Sequence, residues 1–248
     1  KVRIIGSGTS TGVPQIGCTC PVCTSSDPKD NRLRASAIVE TDDARILIDC
    51  GPDFRTQDYI SFERIDGVLI THEHYDHVGG LDDLRPFCRF GSVPIYAEDY
   101  VAQGLRLRMP YCFVDHRYPG VPDIPLQEIS VGQSFAVNHT EVLPLRVMHG
   151  RLPILGYRIG QLGISLNVDH ARRSYEQLAG IDVLVMNALR IACILLTKFG
   201  RSIGGGPAYS GKEDILYTHG HDMGLHAEVE KNLPENIHLA FDGLDIHV

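Results

Sequence analysis

The sequence predicts an α/β fold in which two β-sheets pack face to face between outer helices, an αββα sandwich. Short apolar segments recur along all 248 residues, helix-like segments lie between them, and no segment repeats another. With 43% hydrophobic and 22% charged residues, a chain of this length can bury one ordinary core. We therefore expect residues 1–248 to form a single domain.

The predicted strands are short segments rich in Val, Ile and Leu that are bounded by Gly, Asp or Pro. They cover residues 2–5, 37–40, 45–49, 67–71, 94–97, 139–146, 155–159, 163–167, 183–186, 215–218 and 237–240. The predicted helices cover residues 53–61, 80–87, 98–107, 170–178 and 224–231. Residues 204–207, Gly-Gly-Gly-Pro, predict a loop, because each Gly costs a helix about 1 kcal/mol and a Pro about 3 kcal/mol.

The most informative motif places three imidazoles and a carboxylate within six positions, His72-Glu73-His74-Tyr75-Asp76-His77. A divalent ion needs three or four nitrogen or oxygen ligands, so this turn could supply half the ligands of two ions. A cluster of surface histidines is the alternative. The context disfavours it, because an apolar strand-like segment precedes the motif and Gly79-Gly80 follows it.

The pattern H-x-H-x-D-H after a hydrophobic strand resembles the metallo-β-lactamase superfamily. The resemblance implies the αββα sandwich and two divalent ions, zinc or manganese. The first ion would bind three histidines, the second an aspartate and two histidines, and a further aspartate would bridge them. The matching residues are, in that order, His72, His74 and His149, then Asp76, His77 and His219, and finally Asp169. Asp76 and Asp169 would be the catalytic residues.

His149, Asp169 and His219 each follow a strand-like segment, where α/β folds usually carry their chemistry. A buried, hydrogen-bonded histidine is the alternative for either lone histidine. The order of ligand types along the chain favours metal binding. Asp49 matches a superfamily aspartate that supports the backbone of the metal-binding loop, so we expect it to be a structural residue.

A second motif, Cys18-Thr19-Cys20-Pro21-Val22-Cys23, places three thiols within six residues. Seven cysteines are an odd number in a chain without a recognisable secretory signal, so metal binding is favoured over disulfides. Three thiolates leave a tetrahedral zinc ion one ligand short, and a histidine from elsewhere would complete it. Three free buried thiols are the alternative.

Three segments point to one branch of this superfamily. They are the Cys motif, residues 6–14 (Gly-Ser-Gly-Thr-Ser-Thr-Gly-Val-Pro) and residues 218–222 (Thr-His-Gly-His-Asp). They are similar to the branch that contains the phosphoribosyl cyclic phosphodiesterases of phosphonate breakdown, which are related to tRNA 3′-processing endonucleases. This resemblance implies a structural zinc on Cys18, Cys20, Cys23 and His221. In that branch the last two histidines are three positions apart, whereas His219 and His221 are two positions apart. His226 is therefore the alternative fourth ligand.

The branch implies a metal-dependent hydrolase of small, most often cyclic, phosphodiesters, because a pair of ions supplies a bridging hydroxide at neutral pH. Hydrolysis of another ester such as a lactone, or a non-catalytic metal-binding scaffold, is the alternative. The branch carries a further histidine as general acid, but no His lies between His170 and His219. Weak substitutes for this acid are Lys198, Arg201, Tyr209 or a metal-bound water. Arg32 and Arg34 are interpreted either as phosphate contacts or, more readily, as solvated residues.

The net charge of −8, from 23 basic and 31 acidic residues, makes a nucleic-acid partner unlikely. No apolar stretch approaches the roughly 18–20 residues that span a membrane. Residues 1–5 do not resemble a signal peptide, so the expected location is the cytoplasm. The expected partner, as the branch resemblance implies, is a small phosphodiester. The sequence does not decide whether the chain forms a homodimer.

Overall fold

A computed structural model of the chain describes residues 1–57, 61–116, 118–165, 176–187, 213–217 and 220–248. The described strands form two sheets of seven strands each, and buried apolar side chains from both sheets meet between them. The predicted sandwich is confirmed.

The first sheet has the strand order β14-β1-β2-β3-β4-β5-β6. Its strands are β1 (Val2–Gly6), β2 (Ser36–Glu40), β3 (Arg45–Ile48), β4 (Gly67–Leu69), β5 (Ile95–Ala97), β6 (Leu126–Glu128) and β14 (Asp245–Ile246). The strands from β14 to β3 pair antiparallel, and those from β3 to β6 pair parallel.

The second sheet has the order β13-β12-β11-β10-β9-β8-β7. Its strands are β7 (Phe135–Val137), β8 (Thr140–His149), β9 (Leu152–Ile159), β10 (Leu162–Ser165), β11 (Val183–Asn187), β12 (Glu213–Tyr217) and β13 (Ile237–Leu239). Strands β7 to β10 pair antiparallel and β10 to β13 pair parallel, as in the first sheet. The parallel halves bring several strand ends to one edge of the sandwich.

Buried apolar side chains of the described residues form the core between the sheets. Ile46 and Leu69 of the first sheet and Val185 of the second are fully buried there, and each such side chain stabilises the fold by about 1.5–3 kcal/mol. Tyr157 is also fully buried, and its hydroxyl donates to the Ile70 carbonyl oxygen at 2.6 Å. This bond joins the second sheet to the segment that leads into the His motif.

The described helices cover the outer faces, and the one at His226–Glu230 is shorter than the predicted 224–231. They are α1 (Tyr75–Val78), α2 (Asp99–Arg108) and α3 (His226–Glu230). Short 3-10 segments lie at Pro28–Asp30, Phe54–Thr56, Leu81–Phe90, Pro110–Cys112, Glu176–Leu178 and His221–Met223. The predicted helix at 80–87 is therefore 3-10 in character, and Pro86 lies within it. In the described part of the chain, every helix is too short or too polar to cross a membrane.

Candidate metal centre

The His motif begins where strand β4 ends, and the second sheet contacts it at that point. The Leu155 amide of β9 donates to the Thr71 carbonyl oxygen at 3.0 Å. Strands β8 and β9 form a hairpin in which His149 pairs with Leu152, and Gly150 takes a φ of 59° in the turn. The hairpin therefore brings His149, far along the sequence, beside the His motif.

Three histidines form a group whose ligand atoms all lie within 4.8 Å of one another: His72, His74 and His149. His72 Nε2 is 3.0 Å from His74 Nδ1, and the His149 ring centre lies 5.8 and 5.7 Å from those of His72 and His74. Nitrogens that bind one tetrahedral zinc ion lie about 3.3 Å apart. The arrangement fits a divalent ion with only small side-chain movements.

The protonation of His72 also suits a metal ligand. Burial and the neighbouring His77 and His74 lower the pKa of His72 to about 2, so its imidazole is neutral. Its Nδ1 lies 2.9 Å from the Thr71 hydroxyl, which itself donates to Asp49. The hydroxyl must therefore accept a hydrogen bond from the Nδ1–H group, which leaves the lone pair of the neutral His72 ring on Nε2.

Asp76 and His77 form a second ligand group next to the first. His77 Nε2 lies 3.2 Å from an Asp76 carboxylate oxygen, and the His77 and His72 ring centres are 4.2 Å apart. Burial alone would lower the pKa of His77, but Asp49 and Asp76 raise it to about 9. Burial raises the pKa of Asp76, but the hydrogen bond and charge of His77, a backbone amide and His72 together lower it to about 2. The other two predicted ligands, Asp169 and His219, lie outside the described residues.

Asp49 supports both ligand groups from beneath, as predicted. It is fully buried and adopts a φ of 55°. Its carboxylate accepts bonds from the Thr71 amide (2.8 Å), the Thr71 hydroxyl (2.8 Å) and His77 Nδ1 (2.6 Å). A carboxylate on Nδ1 leaves Nε2 of His77 to face Asp76, and it fixes the ring orientation.

The next residues, Cys50 and Gly51, hold α1 close to the strand end. The Cys50 amide donates to the His77 carbonyl oxygen at 2.8 Å. A Cβ atom on Gly51 would overlap with the Asp76 carbonyl oxygen. Any side chain at position 51 would therefore push the helix that carries Asp76 and His77 away from Asp49.

The Cys motif forms a separate cluster together with a residue about two hundred positions later. Cys18 Sγ and Cys20 Sγ lie 3.6 and 3.4 Å from His221 Nδ1. All four candidate ligand atoms, including Cys23 Sγ, lie within 4.8 Å of one another. Sulfur and nitrogen atoms that share a tetrahedral zinc ion are about 3.5 Å apart. The cluster therefore fits a zinc ion bound by three sulfurs and one nitrogen.

The thiols of this cluster differ in acidity, and His226, the alternative fourth ligand, is engaged elsewhere. The Cys23 amide and His221 lower the pKa of Cys20 to about 6, whereas burial raises the pKa of Cys23 to about 11. His226 is buried, with Nδ1 3.0 Å from an Arg32 nitrogen. The geometry therefore favours His221.

Both interpretations, a phosphate contact and a solvated residue, are wrong for Arg32. Arg32 is only 1% exposed, and it donates to the Ser7 hydroxyl at 3.1 Å and the Ala240 carbonyl oxygen at 2.5 Å. Arg34 is paired with Asp53 at 2.6 Å. Arg32 is neither solvated nor accessible to a phosphate, because its guanidinium is buried between Ser7 and Ala240. The charged residue type gave no signal of this burial.

Comparison with known proteins agrees with this geometry. A family model described as "Beta-lactamase superfamily domain" matches residues 44–193. The chain belongs to the metallo-β-lactamase superfamily. It is also similar to the crystal structure of a diphosphatase from the PhnP family, with a TM-score of 0.83 and 33% identity over 98% of this chain and 94% of that one. The predicted branch is therefore confirmed.

Other relatives are more distant or longer. Zinc-bound PqqB from Methylobacterium extorquens shares the fold, with a TM-score of 0.69 and 20% identity over 100% and 99% of the two chains. An octanoyltransferase from Porphyromonas gingivalis is 43% identical over 98% of this chain but only 50% of its own length. The chain spans about half the length, or less, of the curated relatives it matches. The superfamily and the histidine group indicate a divalent-metal site.

Proposed function

We propose that this protein hydrolyses small phosphodiesters, above all cyclic ones, with two divalent ions. The observation that supports this most is the contact between the two ligand groups, whose His72 and His77 rings are 4.2 Å apart. One group offers three nitrogens and the other a nitrogen and a carboxylate oxygen, and Asp169 and His219 would complete them. The similarity to a diphosphatase over nearly the whole of both chains supports phosphorus chemistry.

The residues around the histidine group contribute to the reaction by orienting the imidazole nitrogens that would bind the ions. When bound, a pair of divalent ions lowers the pKa of a shared water toward neutrality and stabilises charge that develops on a phosphate. The Thr71 hydroxyl and Asp49 bind Nδ1 of His72 and His77, so Nε2 of each ring is the atom that would hold an ion. His74 is exposed and His149 half-buried, so the group faces solvent on one side, where a substrate can approach.

The cluster of Cys18, Cys20, Cys23 and His221 would hold a structural zinc ion. Three sulfur ligands favour zinc over manganese, whereas nitrogen and oxygen ligands suit either ion. A site with four protein ligands has no position for a substrate. The proposed roles of the two clusters therefore differ, with chemistry at the histidines and stability at the cysteines.

The source of a leaving-group proton stays a prediction, because Lys198, Arg201 and Tyr209 lie outside the described residues. A general acid typically contributes about 10²- to 10⁴-fold to the departure of an alkoxide. If this proton donor is weak, the rates should fall steeply as the leaving-group pKa rises. A graded series of aryl and alkyl phosphodiesters measures this slope, and a flat dependence would mean that an effective acid is present.

Hydrolysis of a diphosphate bond is a second candidate, favoured by the diphosphatase relative. A phosphate leaving group is already a stable anion near neutral pH, because its second pKa is about 6. Such a bond needs little help from a general acid. A weak proton donor would thus favour diphosphates over alkyl phosphodiesters.

The test is a substrate panel on protein that has been depleted of metal and reloaded with zinc or manganese. The panel contains bis(p-nitrophenyl) phosphate, 2′,3′-cyclic nucleotides, ribose cyclic phosphates, dinucleotide diphosphates, lactones and octanoyl esters. We expect turnover of the phosphodiesters first. His149→Ala and Asp76→Asn should each lower the rate by about 10³-fold or more.

His139→Ala is the matched control for His149→Ala. His139 precedes the opposite end of strand β8, and its side chain is 96% exposed beside Asp43. Its loss should leave both metal content and rate unchanged. Turnover of lactones or octanoyl esters alone would contradict the phosphodiester proposal, and full metal content without any turnover would support a scaffold. The mass of the same sample in solution tests whether the chain forms a homodimer.

A further inference from the structure

Glu73 lies between the two ligands His72 and His74, and its contacts are with helix α2. Its carboxylate pairs with Arg108 at 3.1 Å. Arg108 also donates to the Glu73 carbonyl oxygen. Both the side chain and the backbone of the residue between two metal ligands are therefore bound by the last residue of α2.

Gly104, one helical turn before Arg108, lies against the same carboxylate. A Cβ atom on Gly104 would overlap with Glu73 Oε2, the oxygen that pairs with Arg108. Glycine is a poor helix residue, destabilising a helix interior by about 1 kcal/mol relative to alanine. Its presence here lets the loop come close to the helix.

Tyr100, a further turn back, contacts the other ligand-bearing segment. Its hydroxyl donates to the Pro153 carbonyl oxygen at 2.8 Å. Pro153 lies in β9, opposite Met148, directly before His149 in β8. Residues four positions apart share one helix face, so Tyr100, Gly104 and Arg108 form a single stripe along α2.

We propose that this stripe sets the spacing between the His72–His74 loop and the hairpin that carries His149, and so tunes the affinity for the first metal ion. Arg108 and Gly104 are positioning residues, because they act through Glu73 and contact no ligand atom. The inference rests on the metal site of the proposed function. It concerns metal binding, so its test does not depend on which substrate is hydrolysed.

The first test replaces Arg108 by Met, which keeps the apolar stem and removes both bonds to Glu73. The dissociation constant for zinc at the histidine site, measured by competition with a chromophoric chelator after the cysteine site is saturated, should rise about tenfold, as for other residues that orient metal ligands. Arg108→Lys keeps the positive charge but lacks the paired N–H donors of the guanidinium. Its zinc dissociation constant should therefore lie between those of the parent and Arg108→Met.

Arg106→Met is the matched control. Arg106 lies on the same helix and pairs with Glu128 at 2.8 Å, and its side chain is 44% exposed compared with 48% for Arg108. Its partner lies in edge strand β6 and not in the ligand loop. Arg106→Met should therefore leave the zinc dissociation constant unchanged.

Gly104→Ala separates positioning from stability. Alanine favours the helix, and the Glu73 carboxylate can swing aside, so the melting temperature should stay equal or rise. The same swing moves the carboxylate away from Arg108, and zinc affinity should fall about threefold or more. A general loss of stability would instead move melting temperature and affinity down together.

Three results would overturn the proposal. The proposal is wrong if the zinc dissociation constants of Arg108→Met and Gly104→Ala stay within twofold of the parent value. An equal loss of affinity in Arg106→Met would also overturn it, because the effect would then belong to the charge of α2. A lower melting temperature in Gly104→Ala together with weaker binding would point to helix stability. Absence of phosphodiester turnover would count against the proposed function and leave these measurements intact.

Discussion

The two ligand clusters are built in different ways, although each could hold a metal. The histidine cluster rests on buried groups of the protein, because Asp49 and Thr71 are 0% and 1% exposed and bind the ligands or their backbone. Cys18, Cys20 and Cys23 are half-buried on a short turn. The first cluster is arranged by the fold, and the second depends more on its ion.

The contacts within the cysteine turn show this dependence. The amides of Gln15 and Cys23 point at the sulfurs of Cys23 and Cys20 at 3.4 and 3.5 Å, which are weak bonds. His221 comes from the far end of the chain and begins a 3-10 turn of three residues. A catalytic ion needs ligands that are fixed beforehand, whereas a structural ion can fix its own ligands and contribute its binding energy to folding.

The largest effect that tests this comparison is expected from Asp49→Asn. Asparagine tolerates the φ of 55° and keeps the size of the side chain, so only the charge and one acceptor change. One of the three bonded donors then faces an amide N–H group, which should cost about 3 kcal/mol of unfolding free energy. Metal affinity and hydrolysis at the histidine site should fall about 100-fold.

Asp242→Asn is the control for this substitution. Asp242 accepts bonds from the Ser7 amide and hydroxyl and from the Leu33 amide, each at 2.7 Å. It thus matches Asp49 in the number of its hydrogen bonds but touches no histidine ligand. Urea unfolding should show a similar loss of stability, with metal affinity at the histidine site unchanged. Equal losses of affinity in both variants would break the comparison.

A smaller effect on the opposite cluster is expected from Cys20→Ser. The hydroxyl is a poor zinc ligand, so the zinc content should fall by one ion per chain. Because the turn has few other contacts, the unfolding free energy should fall by about 2–4 kcal/mol. The rate per folded molecule should stay within about twofold of the parent. Unchanged zinc content would refute the assignment of Cys20 as a ligand.

The sequence predicted the parts of the molecule whose chemistry is local. The His motif and the Cys motif each place at least three candidate ligands within six residues, and each contributes to a compact cluster in the structure. Asp49 was predictable because the superfamily carries an aspartate there. Strand β8 was predicted to end at 146 but extends to His149, because pairing with β9 continues to Leu152.

The remaining features depend on distant contacts that no local pattern encodes. The predicted strands did not include β6, β7 and β14, which lie at or near sheet edges and are only two or three residues long. The burial of Arg32 depends on Ala240 and His226, which are about two hundred residues away. The bond from Arg108 to Glu73 joins α2 to a loop that precedes it by thirty-five positions. Charged residues of this kind are indistinguishable in sequence from solvated ones.

The smallest expected effect concerns pH and the support of the cysteine cluster. His226 accepts a bond from Arg32, and its amide donates to Asp30, whose other carboxylate oxygen accepts a bond from Ser25 beside the cysteine turn. Burial, and then Arg32 and Lys29, lower the pKa of His226 in the folded protein. His226 therefore takes up a proton less readily in the folded protein than in the unfolded chain, where the ordinary imidazole pKa is about 6.5.

It follows that the parent protein should lose stability as the pH falls below about 6.5, since the unfolded state then binds more protons. His226→Asn keeps an acceptor for Arg32 and removes the titration. Urea midpoints measured at pH 7.5 and pH 5.5 should fall less in the variant than in the parent. Any protonation of the cysteines lowers both proteins alike, so the difference between the two slopes belongs to His226. Equal slopes would mean that Arg32 and Asp30 hold α3 without help from a neutral imidazole, and the cysteine cluster would then depend on its ion alone.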